Sequence, residues 1–365
     1  MTIYDISEKA GVSIATVSRV LNGSRNVSEK TRKKVLNVIE HCGYTPNAFA
    51  RGLGLNTMRT IGIMCADSSD PYLAKAVYHI EQNLRINGYD SLLCCTGYTP
   101  ETKAASMNLL RTKKVDAIIL VGSNFVHKKA SENEYIAEAA AHIPVMLLNA
   151  ELDIPNVYSV APDYYTAIYN ATLEMFHNGI EDLLYFYNSC SYSGIRKLTG
   201  FLDACKTLAL SVPAFSDQNI ASESGNTQKQ VTAISNKSRK NSVMTRFYQG
   251  SHEDIHAMTA CLQQLHDSSG DFLFHGIIAE DDCLALAAVK YAKQMNYRIP
   301  EDFAVVGFNN SMLTVCCDPE LTSIDNKLET LCRHLITTLL GVLEGKKMPQ
   351  KTIFTGEIIR RGTTR

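Results

Sequence analysis

The chain lacks tryptophan, long apolar runs and any sign of an export signal. None of its 365 residues is tryptophan, and no apolar stretch approaches the roughly 18 residues that a membrane helix needs. The start, Met1-Thr2-Ile3-Tyr4-Asp5, lacks the basic and then apolar regions of a signal peptide. We therefore expect a cytoplasmic protein that does not enter a membrane and whose aromatic stacking surfaces are Tyr or Phe.

Disulfide and nucleotide chemistry also find little support. The eleven cysteines are an odd number, stand singly or as the adjacent pairs Cys94-Cys95 and Cys316-Cys317, and form no CxxC, so we expect buried reduced thiols. The patterns G-x-x-x-x-G-K-[ST], G-x-G-x-x-G and G-x-S-x-G are all absent. No cofactor, no metal and no enzyme activity is predicted.

What the sequence does have is an ordinary globular composition with an uneven charge distribution. Hydrophobic residues make up 45% and charged residues 20%, which suits a folded chain of two or three domains. The net charge is -1, yet residues 1–60 carry nine Lys and Arg against four Asp and Glu. A basic head on a mildly acidic body predicts that the head contacts a polyanion such as DNA.

Residues 1–45 have the pattern of a helix-turn-helix domain. The predicted helices run from Ile3 to about Ala10, from Ile14 to about Leu21 and from Ser28 to about Cys42. Thr2, Ser13 and Ser28 are suitable N-caps, and Gly11 can adopt the positive φ of the turn. Two helices joined by a three-residue turn with glycine are typical of this motif.

The second predicted helix has one apolar and one polar face. Its inward residues are predicted to be Val17, Val20 and Leu21, above Val35, Leu36, Val38 and Ile39 of the third helix. Its outward residues are Ile14, Ala15, Thr16, Ser18, Arg19 and Asn22. The N-terminal part of such a helix reaches base edges in the major groove. A plain helical bundle with a solvated basic surface is the alternative.

Three motifs follow one another in the head: AGVSIATVSRVLN at 10–22, VSEKTR at 27–32 and GYTPN at 43–47. In this order they resemble the DNA-binding domain of the LacI/GalR repressor family. The resemblance implies that Ile14, Ala15 and Arg19 contact bases, and arginine does suit guanine acceptors while small apolar side chains suit thymine methyls. It also implies that phosphates are held by Tyr4, Ser13, Thr16, Ser18, Asn22, Ser28, Thr31, Tyr44 and Asn47.

Residues 46–60 have the composition of a hinge segment. Pro46 is a good first helical residue, but Gly52 and Gly54 each cost a helix over 47–54 about 1 kcal/mol relative to alanine. So short a helix is not expected to persist alone. By the resemblance it forms on the operator and inserts Leu53 into the minor groove as an apolar wedge. A plain flexible linker is the alternative.

Residues 61–365 alternate short apolar runs with amphipathic segments. Strands are predicted from Ile61 to Ala66, Ser91 to Thr96, Ala117 to Val121, Val145 to Asn149, Leu183 to Phe186, Gly276 to Ala279 and Ala304 to Phe308. Helices are predicted from Leu73 to Asn87, Glu101 to Thr112, Tyr164 to His177, Lys197 to Leu208 and Asp282 to Met295. This alternation predicts parallel sheets in βαβ units, and about 300 residues predicts two of them.

The body also carries DSSDPY at 67–72, DAIIL at 116–120, AED at 279–281 and VVGF at 305–308. These segments are similar to the family's periplasmic-binding-protein-like core. The fold class is then an all-α helix-turn-helix head plus a two-lobed α/β core of Rossmann-like lobes. The resemblance implies a first lobe over 61–177 and 326–348 and a second over 178–325 and 349–365. The chain would cross between them near 177–180, 323–327 and 347–351.

The cleft between the lobes is the implied binding site for a small-molecule effector, a sugar or sugar derivative. The candidate effector-binding residues are Tyr72, Asp163, Arg196, Lys197, Glu280 and Asn309. Three of them depart from the family pattern, since Asn309 stands where Asp is frequent, Lys197 where Arg is common and Glu280 where Asn is usual. A carboxylate only accepts hydrogen bonds and lysine is a point charge, so an ordinary free aldose is a poorer match.

Two other functions compete with a ligand-controlled regulator. Residues 252–256, HEDIH, fit the zinc pattern HExxH after the possible N-cap Ser251, with Glu280, His266 or His275 as a third ligand. Acidic residues in the first turn of a helix are also explained by the helix dipole, without a metal. A sugar-binding protein that does not bind DNA would have no use for the basic head.

The expected assembly is a homodimer on double-stranded DNA. Two heads would occupy successive major grooves of a near-palindromic operator. The C-terminal sequence shows no leucine heptad for tetramer formation. The polar residues 216–240 are predicted to form a surface insertion.

Overall fold

The computed structural model describes residues 1–21, 24, 26–44, 57–208, 243–250, 254–265 and 273–365. The head contains α1 (Ile3–Ala10), α2 (Ile14–Leu21) and α3 (Glu29–His41). The Ser28 hydroxyl accepts a hydrogen bond from the Thr31 N–H, and Gly11 has φ 58°, which ends α1. The head therefore has the three predicted helices, starting and ending within one residue of the expected positions.

A small apolar core holds the three head helices together. Its buried residues are Ile6, Ala10, Val17, Val20 and Val35. Leu21, Val38 and Ile39 pack against this cluster as expected, but Leu36 is 45% exposed. The prediction for Leu36 is wrong because the residue after Val35 lies about 100° further round the helix, on its outer face.

The first lobe is a six-stranded parallel sheet with helices on both faces. Its strands are β1 (Thr60–Cys65), β2 (Asp90–Cys95), β3 (Ala117–Val121), β4 (Val145–Leu148), β5 (Val157–Pro162) and β11 (Lys351–Phe354). Their order is β11-β5-β4-β3-β1-β2. Its helices are α4 (Pro71–Ile86), α5 (Pro100–Thr112), α6 (Glu134–Ala140) and α12 (Leu328–Leu343). Helices α4 and α12 cover one face, and α5 and α6 cover the other.

The second lobe repeats this plan. Its strands are β6 (Leu183–Tyr187), β7 (Val243–Phe247), β8 (Gly276–Ala279), β9 (Ala304–Phe308), β10 (Thr322–Asp325) and β12 (Glu357–Ile359). Their order is β12-β10-β9-β8-β6-β7, and only the β10–β12 pair is antiparallel among the described strands. Its helices are α7 (Tyr164–His177), α8 (Tyr192–Thr207), α9 (Ile255–Gln263), α10 (Asp282–Gln294) and α11 (Leu313–Cys316).

The first crossing between the lobes lies at Asp163, earlier than expected near 177–180. Helix α7 buries Tyr164, Ile168 and Met175 in the same cluster as Leu183 of β6, so it belongs to the second lobe. Its apolar face could cover either sheet, and the sequence pattern does not distinguish them.

The third crossing also differs from the prediction. Strand β11 pairs with β5 of the first sheet over Lys351–Phe354, so the chain crosses at 355–356 and not near 347–351. The second crossing lies at Asn326 and Lys327, between β10 and α12, within the expected 323–327.

Several elements were not predicted from the sequence. The unpredicted elements are β5, β7, β10, β11, β12, α6, α11 and α12, and α8 starts five residues earlier than expected. The Ser191 hydroxyl caps α8 by accepting from the Gly194 N–H. The predicted insertion at 216–240 lies outside the described residues.

Candidate DNA-binding face and effector cleft

Helix α2 presents the predicted base-contacting residues to solvent. Ile14, Ala15 and Arg19 are exposed, and Ile14 shows 39% of its surface although it is apolar. On the opposite side Val17 and Val20 are buried in the head core. The buried pair fixes the rotation of the helix, so that its outer face is available to a groove of DNA.

Two hydroxyl pairs stand at the beginnings of α2 and α3. The oxygen atoms of Ser13 and Thr16 are 2.9 Å apart, and those of Ser28 and Thr31 are 2.8 Å apart. The first N–H groups of a helix and hydroxyls beside them suit a phosphate oxygen. The phosphate-positioning role that the family resemblance implies for these four residues stays a prediction.

The other predicted phosphate contacts lie in different surroundings. Tyr4 is 68% exposed on α1. Ser18 is half-buried on α2, and Tyr44 is half-buried against the head core. Asn22, Asn47 and the proposed wedge Leu53 lie outside the described residues.

The two lobes meet at the carboxyl ends of their strands. In each sheet the strand order reverses, between β1 and β3 in the first and between β6 and β8 in the second. Ligands of open α/β sheets bind beside such reversals. The segments that follow these strands therefore define the candidate effector cleft.

One hydrogen-bond network crosses the cleft through Asn326. Tyr72 of the first lobe donates its hydroxyl to Oδ1 of Asn149 at 3.1 Å and accepts from Nδ2 of Asn326 at 3.0 Å. The same Nδ2 donates to Oδ1 of Asn309 of the second lobe at 3.0 Å. Asn326 is 1% exposed, and its Oδ1 has no hydrogen-bond partner among the described residues. A buried unpaired acceptor in a network with two further amides and a phenol is suited to a ligand hydroxyl.

A cluster of serine hydroxyls forms a second contact between the lobes. Ser123, which follows β3, lies 2.9 Å from the Ser191 hydroxyl and 2.8 Å from the Ser193 hydroxyl of the second lobe. Ser189 donates its hydroxyl to Ser191 at 2.8 Å. Each hydroxyl both donates and accepts, so the cluster can exchange these bonds for bonds to a polar ligand.

Lys197 and Glu280 form a buried structural unit. Nζ of Lys197 donates to the backbone carbonyl of Glu280 at 2.8 Å and lies 4.0 Å from the ring centre of Phe308. Oε2 of Glu280 accepts from the N–H groups of Asn188 and Ser189, both at 2.9 Å. Burial lowers the pKa of Lys197 and raises the pKa of Glu280, while the attraction between them opposes both shifts.

The structure thus separates the six predicted effector residues. Tyr72 and Asn309 belong to the network at Asn326. Asp163 lies at the first crossing, where its carboxylate caps α7 by accepting from the Thr166 N–H. Arg196 is exposed and lies over the Tyr165 ring at 5.5 Å. Arg196 has no hydrogen bond to the Asn326 network among the described residues, so its effector role stays a prediction.

Residues that the sequence analysis missed complete the cleft. Asn149 and Asn326 are the amides of the network, and Ser123, Ser191 and Ser193 supply hydroxyls. Four of the five stand one to four residues beyond a β-strand. Polar residues just after a buried strand were therefore the available signal.

Of the zinc-pattern residues His252, Glu253 and His256, the structure describes only His256. Helix α9 begins at Ile255, capped by the Asp254 carboxylate, which accepts from the Ala257 N–H at 2.9 Å, so the expected N-cap Ser251 is wrong. His252 and Glu253 lie outside the described residues, and both ring nitrogens of His256 are 3.4 Å from Nζ of Lys290. Among the described residues no three His, Cys, Asp or Glu side chains are grouped to hold a metal.

The fold and the two sites define a regulator with a helix-turn-helix head and a two-lobed binding core. The family model described as "Bacterial regulatory proteins, lacI family" matches residues 2–47. The family model "Periplasmic binding proteins and sugar binding domain of LacI family" matches residues 58–241, and the family model "Periplasmic binding protein-like domain" matches residues 175–364.

Relatives extend this match over the whole chain. An HTH-type transcriptional regulator of Lachnoclostridium phytofermentans is 47% identical over 100% of this chain and 99% of its own length. The HTH-type transcriptional regulator DegA of Bacillus subtilis is 28% identical over 100% of this chain and 98% of its own length. The chain belongs to the lacI family of bacterial regulatory proteins, which are DNA-binding transcriptional regulators.

A solved structure shows the same fold. The lac repressor dimer bound to operator and the anti-inducer ONPF has a TM-score of 0.81 and 19% identity, over 100% of this chain and 99% of that chain. Within the described residues no helix is long and apolar enough to cross a membrane.

Replacing Lys197 tests whether it is structural. Lys197→Ala should lower the free energy of unfolding by about 3 kcal/mol, because it leaves the buried Glu280 carboxylate without its cation. Arg196→Ala, one residue earlier and exposed, should change stability by less than about 0.5 kcal/mol. Urea unfolding of both variants measures the difference. Equal stability of the two would show that the Lys197 ammonium contributes nothing to the fold.

Proposed function

We propose that this regulator binds a specific operator through α2 and that a neutral, hydroxyl-rich small molecule in the cleft controls its operator affinity. The observation that carries the proposal is the Asn326 network, where one side chain in a crossing segment contacts both lobes. A ligand that exchanges these bonds changes how the lobes are joined. A coupling free energy of about 1 to 3 kcal/mol between the two sites is enough for control.

Sequence recognition is assigned to the exposed face of α2. Arg19 is exposed in the last turn, and its guanidinium suits O6 and N7 of a guanine. Ile14 and Ala15 offer apolar atoms to thymine methyl groups. The Ser13–Thr16 and Ser28–Thr31 pairs would hold phosphates and position α2 without specifying sequence.

Arg19→Ala should weaken binding to the best operator by about 1 to 3 kcal/mol and relax selectivity at one base pair of each half-site. Fluorescence anisotropy with duplexes altered one base pair at a time measures both effects. Thr31→Ala is the matched control, since loss of a phosphate contact weakens all duplexes alike. If Arg19→Ala lowered the affinity for all duplexes equally, Arg19 would be a phosphate contact as well.

A homodimer on a near-palindromic operator fits this head. One copy of α2 reads one half-site, and a second copy related by a twofold axis reads the other. Among the described residues, the first lobe exposes large apolar side chains, including Tyr78, Ile86, Leu93, Tyr98 and Leu109. We assign part of the dimer contact to this lobe, because large apolar side chains are enriched in interfaces.

Leu53 is proposed to act as a minor-groove wedge at the centre of the operator. The proposal rests on the sequence of 46–60, and Leu53→Ala should reduce both operator affinity and DNA bending. Bending measured by energy transfer between end-labelled dyes checks it, with the conservative Leu53→Met as control. If Leu53→Ala still bent the operator fully, the proposal that Leu53 acts as a wedge would be wrong.

The polar groups of the cleft indicate the class of effector. Amides and hydroxyls predominate there, and they pair with ligand hydroxyls as donors and acceptors. The buried ions Lys197 and Glu280 already bind backbone groups, and the exposed Arg196 lies on Tyr165. No charge of these three residues is directed to an anionic ligand, so a neutral sugar or sugar derivative fits better than a sugar phosphate.

Thermal-shift measurements with neutral sugars, glycosides and sugar phosphates test this assignment. A neutral member should raise Tm, because a ligand that binds only the native state stabilises it by mass action. Asn309→Ala should reduce the affinity for that sugar at least tenfold by removing an amide from the network. Arg196→Ala is the control that should retain it. Stabilisation by sugar phosphates alone would overturn the neutral class.

A further inference from the structure

The carboxylate of Asp116 fastens the chain to the first lobe at the point where it arrives from the head. Asp116 immediately precedes β3, and the residues that it binds precede or begin β1. Its Oδ1 accepts from the Met58 N–H at 2.9 Å. Its Oδ2 accepts from the Thr57 hydroxyl at 2.8 Å and from the Thr60 N–H at 3.2 Å. Both carboxylate oxygens therefore bind residues 57–60, the anchored segment.

The anchored segment is also held by bonds of its own. The Thr57 hydroxyl, besides donating to Asp116, accepts from the Arg59 N–H at 3.2 Å. The Thr60 hydroxyl donates to the Met58 carbonyl at 3.1 Å. Arg59 has φ 48°, in the left-handed region that residues other than glycine rarely adopt. Such a turn persists only where the surrounding contacts impose it, so these bonds define one fixed path for the chain.

The neighbouring strands join the anchored segment to the sheet. The Asp116 N–H donates to the Thr60 carbonyl at 2.9 Å. On the other side the Asp90 N–H donates to the Arg59 carbonyl at 2.8 Å, and the Arg59 guanidinium lies 5.5 Å from the ring centre of Tyr89. Strand β1 itself is paired with both β2 and β3. The anchored segment therefore moves with the first lobe as one body.

We propose that Asp116 is a positioning residue for operator binding, because it fixes the point at which the chain leaves the first lobe for the head. The inference rests on the proposed function, in which the two heads of a dimer occupy one operator. If the carboxylate is removed, residues 57–59 join the tether between head and core. Three residues span up to about 10 Å, which is roughly the rise of three base pairs. The anchored segment thus sets the half-site spacing that the dimer accepts.

Loss of the anchor should change the selectivity for half-site spacing and leave the binding of a single head intact. A base pair inserted between the half-sites moves one of them by about 3.4 Å and turns it by about 34°. With a fixed tether, one head then loses its contacts. A longer tether lets both heads bind, although it lowers the effective concentration of the second head at the original spacing. A merely destabilised lobe would weaken binding at every spacing alike.

The test compares the full-length wild-type protein with Asp116→Ala and Thr57→Val on three duplexes. These are the operator that the wild-type protein selects from a random pool, the same operator with one base pair inserted at its centre, and a single half-site. The insertion should weaken binding at least about tenfold for the wild type and less than about threefold for both variants. Affinity for the single half-site should be the same for all three proteins.

Two further variants serve as controls. Thr57→Ser keeps the hydroxyl that donates to Asp116 and should restore the spacing selectivity of the wild type. Thr112→Val removes a hydroxyl at the end of α5 that donates to the Asn108 carbonyl of its own helix, and it should also behave as the wild type.

Wild-type spacing selectivity in both Asp116→Ala and Thr57→Val would overturn the positioning role. An equal loss on all three duplexes, the single half-site included, would overturn it as well, because the carboxylate would then only stabilise the lobe. If Asp116→Ala does not fold, Thr57→Val decides the question, since Thr57 is only half-buried. A wild-type protein without any spacing selectivity would contradict the dimeric operator binding of the proposed function, and this inference with it.

Discussion

The proposed control of this molecule depends on one contact, the side chain of Asn326. It lies in one of three short segments that join the lobes and is almost fully buried. Its amide donates both to Tyr72 of the first lobe and to Asn309 of the second. Buried amide hydrogen bonds are costly to leave unmade. The two lobes should therefore keep one relative position until other groups replace these partners.

The same constraint explains why the cleft is rich in neutral polar groups. Hydroxyls and amides can exchange partners between protein and ligand at little net cost, whereas buried ions cannot. The ions of this region, Lys197 and Glu280, accordingly bind backbone groups that keep their charges compensated. Structural stability and ligand exchange are thus assigned to different residues within one cleft.

Prediction from sequence succeeded where local chemistry determines structure. Helix caps such as Ser28 and the turn residue Gly11 locate the head helices, and buried apolar runs locate the central strands. It failed where packing decides, because α7 has an apolar face that either sheet could cover. The edge strands β11 and β12 are short and partly exposed, and so lack a continuous apolar run.

The same distinction between local chemistry and packing decides which parts of the candidate sites could be predicted from the sequence. The outward face of α2 follows from helical periodicity once Val17 and Val20 are placed inside. The roles of Lys197 and Arg196 depend on what the fold places beside each, a carbonyl and a tyrosine ring, which adjacent positions in a helix do not reveal. Asn149 and Asn326 each directly follow a β-strand, but that position alone does not reveal which strand ends converge on one site.

The most direct test of the account is selection of bound duplexes from a random DNA pool by the purified protein, at about 150 mM salt where nonspecific binding is weak. The account predicts one near-palindromic sequence, with half-sites about one helical turn apart and an enriched central step. Binding that is indifferent to sequence and falls steeply with salt, with and without the cleft ligand, would contradict it.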